Sequence, residues 1–412
     1  MSGAIGTAGA KTGRIVVAGG SLAGHSAVSE LVALDYPGEI LWITGETGGV
    51  YSKPALSKEF MQGRAAIDEI MLPPVADGHP RLTIRDGTTC TALRPDERVI
   101  EMGGADWLGF DGLVLCTGAS ARMPAMAAGV PGVLPLRTLA DAMAIRSALA
   151  DARQVLILGG GLIGCELAAS LRTLGRDVTL VEMQPTLLAR PFGPFMGEYF
   201  LDLHRRHGVR VLTGKTIETL VICENRVAGA RLGDGETIAA DLVLVGAGSE
   251  PATGWLEGSG LALANGIVCD ARLATSHAGI YAAGDAARWF NPAYEVAMRV
   301  EHWTNASAQG RAAARNLFHT LAGQPERTMP FIDIPYFWSD QFGLKIQMVG
   351  WHEGHDRVEV QNEPGSAGPL VTFFKGERLV AAAGVNASRK VMGYRRQIAD
   401  GADFHRLAAA AS

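Results

Sequence analysis

IVVAGGSLAG (15–24) and VLILGGGLIGCE (155–166) decide the fold of this 412-residue chain. Each begins as a short apolar run of the kind that forms a buried parallel strand. Each then turns through glycines into an apolar stretch of helical spacing. The second fits G-x-G-x-x-G throughout, at Gly159, Gly161 and Gly164, whereas the first fits at Gly19 and Gly24 and carries Ser21 in the middle. In such a loop the first glycine permits the tight turn and the second lets backbone approach a pyrophosphate. The third lets helix and strand pack closely. The helix N-terminus adds free N–H groups and the positive end of its dipole. One loop of this kind is a weak signal; two in one chain imply two dinucleotides, a flavin and a nicotinamide.

Around each loop the pattern is β-α-β: strand 15–17, helix 22–34 and strand 40–43, then strand 155–158, helix 162–174 and strand 178–181. Gly175, just past the second helix, is a C-terminal stop signal. Strands alternating with helices predict doubly wound parallel sheets. FDGLVLCTGA (110–119) and ADLVLVGAGSEP (240–251) read as matching later strands. GIYAAGDAARW (279–289) returns to the first sheet, so the second unit is inserted in the first. After Pro325, PYFWSDQFGLKIQMVGW (335–351) and LVTFFKGERLVAAAGV (370–385) read as antiparallel strands. A helix near 388–400 follows, with Val391, Tyr394 and Ile398 on one stripe. The predicted fold class is α/β, with two Rossmann-like domains and a C-terminal α+β domain. Residues 13–119 and 247–326 form the first domain, 120–246 the inserted second, and 327–412 the third, with 1–12 a disordered leader.

Length allows roughly two to three domains. The net charge of −5, with 19% charged residues, lacks the basic excess of a nucleic-acid binder. No apolar run reaches a membrane span. The first twelve residues, with Lys11 their only charged side chain, lack the marks of a signal peptide. The five cysteines include no C-x-x-C pair and no closely spaced zinc cluster. They read as buried thiols of a cytoplasmic protein.

Several motifs then occur in a telling order: VYSKPALSK (50–58), LVLCTGA (113–119), GGGLIGCE (159–166), VEMQP (181–185), GIYAAGD (279–285), EHWTNASAQG (301–310) and PYFWSDQ (335–341). From about Arg14 to about Leu407 the chain resembles the putidaredoxin-reductase-like ferredoxin reductases. These use FAD and NADH and feed bacterial haem-monooxygenase and aromatic-ring dioxygenase systems. Three residues depart from the family pattern: Ser21 replaces a glycine, Cys116 an alanine, and Lys53 an arginine, which keeps charge but loses a planar fork.

The resemblance implies non-covalent FAD held at Gly19, Ser21, Leu22, Ala23 and Gly24, with Lys53, Thr117, Gly118 and Arg122 nearby. Glu46 would bond the adenosine ribose, unless it is a solvated loop carboxylate. Gly284 and Asp285 would meet the ribityl chain. Glu301, His302 and Trp303 would approach the isoalloxazine ring, His302 in a structural part and Trp303 as a stacking or screening group or else a plain core residue. Gly159, Gly161, Leu162, Ile163 and Gly164 would hold the NADH pyrophosphate. Glu182 would bond the NAD ribose and repel a 2′-phosphate. Arg190 would lie near the adenosine or simply on the surface, and Gly246 and Gly248 would pass close to the nicotinamide.

The same resemblance makes Lys58 and Glu166 the catalytic pair beside flavin N5, with Lys58 supplying positive charge where charge develops. A structural ion pair at a domain boundary is the competing reading. The implied partner is a [2Fe–2S] ferredoxin, with Arg389, Lys390, Arg395 and Arg396 as a basic docking cluster. An NADH oxidase, a rubredoxin reductase, or a redox-sensing flavoprotein like the apoptosis-inducing factors are the rival functions.

Overall fold

The computed structural model describes residues 13–75, 78–361 and 368–402. The expected leader at 1–12 and the end of the C-terminal segment lie outside the described residues. Two five-stranded parallel sheets carry the glycine loops. In the first, Ile280–Ala282, Gly112–Leu115, Arg14–Ala18, Glu39–Ile43 and Leu82–Arg85 lie side by side in that order. In the second the order is Val133–Pro135, Leu242–Val245, Gln154–Leu158, Asp177–Glu182 and Arg210–Thr213. Four of the five strands correspond between the sheets, in the same order. The fifth is last in the chain for the first sheet and first in the chain for the second. Past their first residues Arg14 and Gln154, the central strands are buried apolar runs, as sheets covered on both faces require.

The helices Leu22–Ala33 and Leu162–Thr173 follow the two loops, and the second ends at Gly175, which has φ 72°. The longer helix Trp303–Leu321 lies on the first. Ser307 and Ser26 hydroxyls meet at 2.9 Å, and a Cβ at Gly310 would overlap the Ala23 carbonyl oxygen. Two short strands, Ala119–Ala121 and Ser249–Pro251, pair antiparallel where the chain passes between the sheets.

The C-terminal sheet is antiparallel, ordered Tyr336–Gln341, Leu344–Gly350, Arg378–Val385, Leu370–Lys375 and Arg357–Gln361. The helix Ser388–Gly401 buries Val391 and Ile398 against it, with Tyr394 partly buried alongside. One core runs through the first sheet and the segments that return to it. A second joins the second sheet, the C-terminal sheet, and Tyr51, Leu56, Phe60 and Met61. The segment around 51–61 thus leaves the first sheet and packs into the core of the second. That packing carries Lys58 across to the second unit.

Candidate active site

Both glycine loops hold their helices against their strands in the same way. Gly19 N–H donates to the Ile43 carbonyl at 2.9 Å, and Gly159 N–H to that of Val181 at 2.8 Å. A Cβ at Gly24 would overlap the Gly19 carbonyl oxygen, and one at Gly164 that of Gly159. The middle position differs: a Cβ at Gly161 would meet no atom within 4 Å. Protein packing makes no demand for glycine there, so Ser21 at the matching position is accommodated. The open space in front of Gly161 suits an approaching pyrophosphate.

The two helix N-termini meet at one cleft of about 990 Å³, its open mouth included. Ser21 and Leu22 from the first and Leu162 and Ile163 from the second line it, with Lys53, Lys58, Arg137, Glu166, Asp285, Glu301, His302, Trp303, Phe337 and Trp338. Beside the first loop, Gln309 accepts from Gly284 N–H at 2.9 Å through Oε1. Its Nε2 is buried without a partner among the described residues, a donor that a phosphate oxygen would satisfy.

Lys58 and Glu166 form the buried centre. Lys58 Nζ lies 2.7 Å from Glu166 Oε2 and donates to the Pro54 carbonyl at 2.9 Å. The two residues are only 5% and 3% exposed. The Ser57 hydroxyl also donates to Oε2, and Ser339 Oγ donates to Oε1 at 2.7 Å. A buried ion pair is maintained only when its remaining lone pairs are met in this way.

At the other wall, Arg137 Nη2 lies 2.7 Å from Asp285 Oδ2. Burial pulls the guanidinium down, but Asp285, Glu301 and Glu46 together raise it, so it stays charged. Arg137 carries no motif and was not foreseen. Burial lowers the Lys53 ammonium from its usual range, opposed by Glu46 at 3.0 Å. Tyr51 links to both: its hydroxyl donates to Glu46 and accepts from Lys53 Nζ at 3.2 Å and Leu139 N–H at 2.9 Å. Burial, first, and Glu46, second, push the phenol up. His302 is half-buried and packs on Phe337, and burial, opposed by the Glu301 charge, takes it down to about 4. A neutral ring held in that way fits a structural part.

Glu182 stands where the second strand of its unit ends, and its carboxylate accepts from Gly160 N–H at 2.6 Å and Gln184 N–H at 2.7 Å. By the matching hydrogen bonds, Thr44 is the residue at that position in the first unit. Glu46 lies two residues further on, held by Tyr51 and Lys53. Thr117 bonds the Ala252 carbonyl, and Gly118 has φ 70°. Gly246 packs against the backbone of Gly164, and Gly248 has φ 91° with free space where a Cβ would stand. Arg122 pairs with Glu250 on an exposed surface, and Arg190 is exposed at the start of the helix Ala189–Arg206; neither lines the cleft. Of the basic cluster, Arg389 and Arg396 are exposed, while Arg395 is half-buried and tied to Asp333 at 3.1 Å and to the Ile334 carbonyl. All five cysteines are free, and none lines the cleft. Among the described residues no cluster of His, Cys, Asp and Glu could hold a metal ion, and no helix is long and apolar enough to cross a membrane.

Comparison with known proteins places these features in context. Residues 13–310 match the family model described as pyridine nucleotide-disulphide oxidoreductase, and residues 336–412 one described as reductase C-terminal. The chain is 34% identical over 399 residues to the 5,5′-dehydrodivanillate O-demethylase ferredoxin reductase subunit of a Sphingobium species, covering 95% of each chain. It is 33% identical to the rhodocoxin reductase of Rhodococcus erythropolis, across 93% of this chain and 89% of that one. Among solved structures, the covalent putidaredoxin reductase–putidaredoxin complex superposes with a TM-score of 0.88 at 31% identity, over 94% of this chain and 93% of that one.

Proposed function

The chain belongs to the pyridine nucleotide-disulphide oxidoreductase family, and on that premise we propose that it is a ferredoxin reductase. It takes electrons from NADH through non-covalent FAD to a small [2Fe–2S] ferredoxin that serves a monooxygenase or ring-hydroxylating dioxygenase. The observation that carries this reading is the convergence of two dinucleotide-type helix N-termini on one cleft whose wall holds Lys58 and Glu166. FAD, when bound, supplies the chemistry of accepting a hydride and releasing single electrons.

The residues of the chain do the rest. Gly19, Ser21 and Gly24 receive the FAD pyrophosphate, and Gln309 adds its spare donor. Asp285 receives ribityl hydroxyls, and Arg137, paired with it at 2.7 Å, neutralises it. Lys58 places a positive charge where negative charge develops, at a buried point of the cleft wall, and Glu166 holds that ammonium in place. Gly159, Gly161 and Gly164 receive NADH, and Glu182 takes the ribose hydroxyls. Domains 13–119 with 247–326, 120–246 and 327–412 carry FAD, NADH and the C-terminal sheet. The paired strands Ala119–Ala121 and Ser249–Pro251 mark the double crossing between the first two.

The ferredoxin docks beside the C-terminal helix, whose exposed Arg389 and Arg396 complement an acidic partner. Asp333, paired with Arg395 of that helix, lies just before Phe337 and Trp338 of the cleft wall. Five free cysteines fit a cytoplasmic setting. Burial raises the thiols of Cys116, Cys165 and Cys269, the last to about 12, the reverse of a reactive thiolate, whereas Cys90 is half-buried and Cys223, against the expectation of five buried thiols, is exposed.

The test is NADH-driven reduction of an added [2Fe–2S] ferredoxin without oxygen. Many rapid turnovers are expected. NADH consumption that occurs only with oxygen, leaving the ferredoxin oxidised, would favour an oxidase instead.

A further inference from the structure

Glu166 is the end of a longer chain of buried polar groups. Ser339 Oγ donates to Glu166 Oε1 at 2.7 Å. Gln341 Nε2 donates to Ser339 Oγ at 3.0 Å. Gln341 Oε1 lies 2.9 Å from His204 Nε2. Exposure of Ser339, Gln341 and His204 is 0%, 1% and 0%. The first two stand on the strand Tyr336–Gln341 of the C-terminal sheet, and His204 on the helix Ala189–Arg206 of the second unit. Six polar side chains, Ser57 and Lys58 included, therefore run without a break through the boundary between units. Burying so many costs free energy unless every link is satisfied.

We propose that Ser339 and Gln341 are positioning residues for Glu166, and that His204 fixes the direction in which their hydrogen bonds run. The inference rests on the reading of Lys58 and Glu166 given above. Ser339 has one proton to donate. It goes to Glu166 only while Gln341 presents its amide nitrogen to Ser339, and hence its oxygen to His204. That oxygen needs a donor, so His204 carries its proton on Nε2. His204 Nδ1, buried with no partner among the described residues, agrees with the unprotonated nitrogen of this tautomer. The opposite tautomer would bury an unpaired N–H and turn the Gln341 amide. Ser339 would then give its proton to Gln341 and leave Glu166 Oε1 bare. The C-terminal sheet in this way holds one carboxylate oxygen while Ser57 and Lys58 hold the other. The carboxylate cannot rotate, and the ammonium it anchors stays aimed at the cleft.

The experiment is anaerobic stopped-flow reduction of the FAD-loaded protein by NADH, giving a limiting rate and an NADH dissociation constant separately. Ser339→Ala removes a hydrogen bond to a charged group and should lower the limiting rate about tenfold with the dissociation constant unchanged. Ser339→Thr, which keeps the hydroxyl, should restore most of it. Gln341→Met keeps the length of the side chain but cannot donate to Ser339, and should match Ser339→Ala; in the Ser339→Ala background it should add nothing. A general loosening of the domain boundary would instead make the two losses add. Additive losses, or native rates in Ser339→Ala while Lys58→Ala is slow, would overturn the inference. Native rates in Lys58→Ala would overturn the underlying reading of the pair, and the inference with it. Should Ser339→Ala fail to fold, Gln341→Met and Ser339→Thr decide alone.

Discussion

The two β-α-β units share strand order, loop hydrogen bonds and glycine packing, yet their helix starts are treated differently. Leu22 and Ala23 are 7% and 5% exposed, under the cover of Gly284 and the helix Trp303–Leu321. Ile163, at the matching place in the second unit, is 40% exposed, and the space in front of Gly161 is open. A ligand at the first loop is enclosed by protein, whereas one at the second can come and go. One supersecondary unit serves a resident cofactor or an exchanging one according to what is packed over its helix N-terminus. For an enzyme that uses FAD and NADH, we propose that the covered loop is the flavin's and the open one the nicotinamide's.

Lys58→Ala should show the largest effect, because it breaks the pair at which both units meet. Loss of an electrostatic group of this kind slows the step it serves by about 10²-fold. The uncompensated Glu166 destabilises the fold by about 3 kcal/mol. Stopped-flow flavin reduction and thermal melting would read the two effects; native values in both would leave the pair without a part.

Glu182→Arg tests whether the open loop is selective. On the proposed reading, a carboxylate that would repel a 2′-phosphate is replaced by a group that would attract one. The ratio of kcat/KM for NADH over NADPH should fall by about 10²-fold, equivalent to about 3 kcal/mol. An unchanged ratio would remove Glu182 from the ribose.

The glycines sharpen the comparison directly. Gly24→Ala would force a Cβ against the Gly19 carbonyl and should destabilise the chain by about 2 kcal/mol with loss of FAD. Gly161→Ala touches no protein atom, so the melting temperature should hold while the NADH dissociation constant rises. Equal effects on stability at the two sites would erase the distinction between covered and open loops.

Burial also gives the fold a pH dependence. His302 and His204 are both taken down to about 4 by burial, and in the unfolded chain both titrate near ~6.5. Between those values the unfolded chain binds more protons, so stability is complete above pH ~6.5 and is lost as pH falls towards ~4, by at most about 3 kcal/mol for each ring. Asp333 acts in the opposite sense: burial, against the pull of Arg395, takes it up to about 6, so the folded chain binds the extra proton there. Melting curves across this range should be flatter for His302→Asn. A slope identical to wild type would show that the ring is not held neutral.

The smallest effect expected is at the docking helix. Reversing Arg389 and Arg396 should raise the apparent KM for ferredoxin about fivefold at low salt and flatten its salt dependence, with NADH-to-ferricyanide activity unchanged. Unaltered ferredoxin kinetics would place the partner elsewhere.

Much of this was legible in the chain itself. The glycine loops, the strands beside them and the stop at Gly175 are local signals, and the motif order pointed to Lys58 with Glu166. Arg137 was not legible, because its meaning comes from Asp285, 148 residues away, and no local pattern announces such a pair. Ser57, Ser339 and Gln341 look like ordinary polar residues until three separate segments bring them together. The segment 51–61 falls within the first unit by its place in the chain, and only long-range packing puts its apolar residues into the second core. Glu46 carried the right chemistry at nearly the right spacing, but the hydrogen-bond register gives that place to Thr44.

The central claim, that one cleft joins a resident flavin to an incoming nicotinamide, is tested most directly by a titration without oxygen. Purified protein is followed by flavin absorbance as NADH and then oxidised ferredoxin are added. One equivalent of NADH should bleach one FAD per chain within the mixing time, and ferredoxin should restore the colour. A protein that takes up no FAD, or whose flavin stays oxidised with NADH present, would contradict the account.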